Sequence, residues 1–77
     1  MLAGMTPEQS RAARGWLGWT QGDLARESHV GLSTVKDYEA GKRRPIQNNL
    51  DAMRLAFEGK GIAFTEKGLF GPDQGQI

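Results

Sequence analysis

Few residues of this chain could carry covalent chemistry. His29 is its one histidine and cysteine is absent, so neither a histidine-rich metal site nor a thiolate zinc site can be assembled. Ser28 and His29 form a nominal nucleophile–base pair, but adjacent residues in a turn rarely serve as one, and a structural turn is the better reading. Gly59-Lys60-Gly61 lacks the Gly-x₄-Gly-Lys-Ser/Thr frame of a phosphate loop and reads as a helix stop. No nucleophile triad and no paired carboxylates can be built. What remains is recognition without bond-making. Its densest cationic point is Lys42-Arg43-Arg44, at the end of the polar stretch TQGDLARESHVGLSTVKDYEAGKRRP. Apolar anchors in that stretch sit at Leu24, Ala25, Val30, Leu32, Val35 and Tyr38, sparsely spaced under many polar side chains.

The elements that position these residues are announced by local signals. Thr6, Pro7 and Gln9 form a helix start with a capping box, and the helix runs to about Leu17, with Ala13, Trp16 and Leu17 inward and Gly18 ending it. Thr20, with Asp23 in the first turn, opens a short second helix that ends near Ser28. A third runs from about Gly31 to Glu39 with Val35 and Tyr38 inward, and Gly41 and Pro45 close the following loop. Leu50, Met53, Ala56 and Phe57 make one apolar stripe on a fourth helix from about Gln47 to Glu58. Ile62–Thr65 alternates as a short strand, Leu69–Phe70 can make a second, and Gly71–Ile77 reads as a loose tail.

The composition bounds the class. Seventy-seven residues, 38% apolar and 25% charged, suit one modest soluble core. No apolar run approaches the ~20 residues of a membrane span, Met1–Met5 lacks the marks of a signal peptide, and the absence of cysteine suits a reducing cytoplasm. Net charge is +1, unevenly spread: residues 1–45 hold seven Lys/Arg against five Asp/Glu, and residues 46–77 three against four.

Two short helices joined by a tight turn are what a helix-turn-helix requires. Its second helix must be anchored by few residues, because its outer face has to stay polar to meet base edges. The order Gln21, Leu24-Ala25, the turn at His29-Val30, Thr34-Val35, Glu39, Gly41 and a basic loop to Pro45 closely resembles the Cro/lambda-repressor-like (XRE) family of transcription factors. The resemblance covers residues 6–58. It implies an all-α bundle of four to five helices, here with a short C-terminal β-strand or hairpin, that binds double-stranded operator DNA as a dimer without a cofactor. Residues 1–60 would form the DNA-binding part and residues 61–77 a β extension and tail of the same domain.

Roles carry over by position. Gln21, Thr34 and Lys42, Arg43 and Arg44 match phosphate-contacting positions. Leu32, Ser33, Lys36 and Asp37 match the outward, base-facing positions of the third helix, where Leu32 meets a thymine methyl or packs. Asp37 accepts from a cytosine amino group or points to solvent. Arg14 and Glu39 match an ion pair between the first and third helices. There are departures: Gly31 stands where the family has a capping Ser or Thr, His29 replaces the turn glycine, and Gly15 and Gly22 each cost up to ~1 kcal/mol inside helices.

A lone strand on a helical bundle leaves backbone groups unpaired, which favours pairing across a dimer through Leu55, Ile62, Phe64, Leu69 and Phe70; a local hairpin is the alternative. On the first reading, a chain ended at Lys60 stays folded and monomeric. Trp16 and Trp19 are better read as packing than as stacking on bases. The rival function is an antitoxin that binds DNA and also a toxin protein through residues 59–77.

Overall fold

Threonines open the first two helices. Thr6 Oγ1 accepts from the Gln9 backbone N–H at 3.1 Å while Gln9 Oε1 accepts from the Thr6 N–H at 3.0 Å. Thr20 and Asp23 repeat the exchange at 2.9 Å in each direction. Each box satisfies two N–H groups that a helix start leaves without partners. The computed structural model describes residues 5–72. Within them lie α1 (Pro7–Leu17), α2 (Gln21–Ser28), α3 (Leu32–Glu39), α4 (Gln47–Glu58), β1 (Ala63–Phe64) and β2 (Leu69–Phe70). The described helices form an all-α bundle on which a small two-stranded hairpin is packed. The tail expected from Gly71 to Ile77 lies outside the described residues beyond Pro72, as do residues 1–4.

The first two helices end alike. Gly18, at φ 70°, and His29, at φ 60°, take the left-handed conformation. The residue after each reaches back, Trp19 N to Arg14 O at 2.9 Å and Val30 N to Ala25 O at 3.1 Å. Histidine tolerates this conformation better than a β-branched residue would. By contrast, α3 starts at Gly31 and α4 at Ile46 with no side-chain cap.

The core forms where these faces meet. Leu24, Val35, Leu50, Met53, Phe57 and Ile62 are buried together with Met5, Ala13, Val30 and Tyr38. Phe57 is its aromatic centre: Trp19 stacks on it with ring centroids 5.6 Å apart, and Phe64 meets it edge-on at 5.9 Å. The aromatic pairs add to plain burial and bring the hairpin onto α4.

Two expectations change. Trp16 does not point inward; it is 40% exposed. The inward row of α1 is Ser10, Ala13 and Leu17, spaced i, i+3, i+7, and Ser10 was overlooked because it is polar. Trp16 lies to one side, where its indole Nε1–H donates to Pro72 O at 3.1 Å. The strand from Ile62 also needs no second copy: β1 and β2 pair locally, Ala63 opposite Phe70 and Phe64 opposite Leu69. Thr65 N donates to Gly68 O at 2.8 Å to close the turn. Gln9 then holds that turn against α1, its Nε2 donating to Thr65 O at 2.7 Å and Gly68 O at 2.8 Å. Docking on α1 and α4 supplies the support that an isolated two-stranded hairpin lacks. Ile62, only 2% exposed, belongs to the chain's own core and is not available to another copy. Phe64 and Leu69 are half-buried against that core.

Candidate nucleic-acid interface

The third helix is anchored by one face. Val35, Tyr38 and Glu39 are buried, Leu32, Ser33 and Lys36 are exposed, and Thr34 and Asp37 lie between. The buried Tyr38 hydroxyl donates to Met5 O at 2.6 Å. Burial pushes its pKa up to about 12 against the opposing pull of Arg44, so the phenol stays neutral and keeps its proton for that bond. The loop that follows is stapled to the helix: Gly41 N donates to Tyr38 O at 3.0 Å and Lys42 N to Asp37 O at 2.9 Å. Lys42, Arg43 and Arg44 project from it exposed, while Pro45 turns inward. Among the described residues the ion pairs involve none of Lys36, Lys42, Arg43 and Arg44. Pro7, Tyr38, Gly41, Arg43 and Arg44 line one shallow cleft, which sets the start of α1 beside this loop.

The end of α3 is held by a buried carboxylate. Glu39 is 3% exposed. Arg14 donates to it from Nε at 3.1 and 3.0 Å and from Nη2 at 2.8 Å. Ser10 donates to Oε2, and Gln21 Nε2 donates to Oε1 at 3.1 Å. Burial pushes the carboxyl pKa up, but the hydrogen bonds from Arg14, Ser10 and Gln21 outweigh it, and the net displacement is downward from 4.5. Arg11 donates to the backbone carbonyl of the same residue, at the negative end of the α3 dipole, while Arg14 holds its side chain. Arg14 also reaches Trp19 O at 3.1 Å, which ties the α1–α2 joint to the cluster.

One cluster thus joins the first turn of α2, through Gln21, to the last turn of α3. Gln21 is half-buried, with its nitrogen toward Glu39. On the outer side of α2, Asp23 pairs with Arg26 at 2.9 Å. The backbone N–H of Thr20, then Arg26, hold its carboxyl below its ordinary value. The Ser28 hydroxyl is buried and donates to Leu24 O at 2.6 Å, so its proton is already engaged.

Sequence reasoning missed Ser10 and Arg11. The available signal was the i, i+3, i+7 row of α1, which puts a hydroxyl where an apolar side chain is the rule. Of the residues read as a contact between copies, Leu55 and Phe70 are exposed at 59% and 67%, well apart from α3 in the chain.

Among the described residues of this arrangement no exposed hydroxyl donates to a base. The arrangement offers a helix that exposes Leu32, Ser33 and Lys36 beside the cations of the Lys42–Arg44 loop and is tied at its end to the start of α2 by Glu39 and Gln21. That geometry fits the groove and backbone of a duplex. A model of the helix-turn-helix family matches residues 11–58, from α1 to the end of α4. No curated protein matches the chain in sequence.

Proposed function

This chain belongs to the Cro/lambda-repressor-like (XRE) family of helix-turn-helix DNA-binding transcriptional regulators, and from that premise we propose that it is a repressor that binds a palindromic operator as a dimer. The observation that carries the reading is the division of α3. Its inward residues hold it to the core, while Leu32, Ser33 and Lys36 stay exposed beside the exposed Lys42-Arg43-Arg44 loop. In this reading α3 enters the major groove, with Leu32, Ser33, Lys36 and Asp37 toward base edges. Gln21, Thr34 and the loop cations meet phosphates and supply the sequence-independent part of the affinity.

One reading helix spans too few base pairs to single out a site, so specificity calls for two half-sites about one helical turn apart and a two-fold dimer. Outside α3 the described large apolar side chains with most exposure are Ile46, Phe70 and Leu55, at 68%, 67% and 59%, and Leu55 and Phe70 are the two we assign to that contact. Selection from random duplexes, followed by sedimentation of the complex, tests the proposal. Enrichment of an inverted repeat bound by two copies is the expected result. A single unrepeated site bound by one copy overturns the dimer, and no enrichment overturns the specific regulator.

A further inference from the structure

Ser10 lies fully buried in the core-facing row of α1, and its hydroxyl donates to Glu39 Oε2. An apolar side chain at that place would pack against the core; the serine supplies a hydrogen bond to a charged acceptor instead. That acceptor is crowded. A carboxylate has about four lone-pair directions, and it is met by Ser10, by Arg14 Nε and Nη2, and by Gln21 Nε2. It cannot turn without giving one of them up.

The consequence falls on Gln21. Beside an anionic oxygen only the amide nitrogen can face inward, since the amide oxygen would be repelled. The second N–H of Gln21 is therefore directed away from Glu39, at the half-exposed start of α2. A helix that crosses the DNA backbone presents its N-terminal turn to a phosphate. We propose that Ser10 is a positioning residue for DNA binding: acting through the Glu39 carboxylate, it fixes the Gln21 amide so that its remaining N–H is aimed at a phosphate. This rests on the DNA-binding reading above, and neither the buried serine nor its link to Gln21 follows from that reading.

A double-mutant cycle on the full chain tests it, with a short random-sequence duplex as probe because a phosphate contact does not depend on sequence. Ser10→Ala should weaken binding about three- to fivefold, the size of one modest hydrogen bond, with its thermal unfolding still cooperative. Gln21→Ala should weaken binding at least as much, and the double variant no more than Gln21→Ala alone. In the DNA-free protein, the side-chain amide resonances of Gln21 should shift in Ser10→Ala; a serine that serves packing alone would leave them in place. If Ser10→Ala fails to fold, Ser10→Cys, similar in bulk but a weak donor, carries the same cycle. Unchanged binding by the serine variant, or losses that multiply in the double variant, overturns the proposal. A wild-type chain that binds no duplex at low salt overturns the DNA reading itself, a result distinct from either.

Discussion

Glu39 concentrates more of the molecule's interactions than any stripe of apolar residues indicates. Its partner Arg14 is 25 positions away, and nothing local links them; only the resemblance to a family suggested the pair. Ser10 had no such help, because a serine on a helix reads as surface. The chemistry makes the cluster testable. A carboxyl held below 4.5 in the folded chain contributes stability that is complete above that pH. The contribution is lost as the pH falls toward the lowered folded value. Glu39→Gln should therefore melt below the wild type at neutral pH, and the gap should narrow under about pH 4. A gap that does not change with pH would mean that the carboxylate is not the source. Removing Arg14 is harsher. With Glu39 at 1% side-chain exposure, Arg14→Ala leaves a buried charge uncompensated and should cost about 3–5 kcal/mol in denaturant unfolding. Replacing both by apolar residues should cost less than the two single losses together. Additive effects below about 1 kcal/mol would be those of two exposed charges.

At the scale of elements, helix limits were legible because their signals are local. Threonine boxes open α1 and α2, and Leu50, Met53 and Phe57 outline α4 with buried side chains. Hydrophobicity by itself points Trp16 inward, but the inward face of α1 is occupied by Ser10 and Ala13. The predictions here concern α3 and its loop. Replacing Lys42, Arg43 or Arg44 with Ala should weaken binding to every duplex alike and lower the slope of log affinity against log salt by about 1. If all three slopes stay at the wild-type value, the loop does not touch phosphate. Ser33 and Asp37 are a different case, since a base contact discriminates among sequences by about 1–3 kcal/mol. Substituting either should change the site selected from random duplexes. Identical sites from both variants and the wild type would turn α3 the other way round.

For the whole molecule, the hairpin is a structural member of the core. It sets Phe64 on the edge of Phe57 and meets Gln9 of α1 through Thr65 and Gly68, with the buried Ile62 just before it and Pro72, bonded to Trp16, just after. An alternating IAFT left a local hairpin and pairing across a dimer both open, and the docking on α1 was not legible, because Gln9 lies 56 positions from Thr65. The expectation that a chain ended at Lys60 stays well folded changes accordingly. Loss of the buried Ile62 alone forfeits about 2 kcal/mol, and the aromatic cover of Phe57 goes with it. A chain ended at Lys60 should unfold at markedly lower denaturant than the full chain; an unchanged midpoint would return the hairpin to the role of an appendage. The Gln9 clamp also has a consequence in time. The side chain that completes the cap of α1 is immobilised by carbonyls that leave the ribosome some fifty-six residues later. During synthesis α1 and α2 can form, but the first turn of α1 stays provisional until the turn at Thr65–Gly68 arrives, since distant contacts are the slow ones to close. A nascent chain stalled before that turn should carry an N-terminus open to proteases, and release of a few more residues should close it.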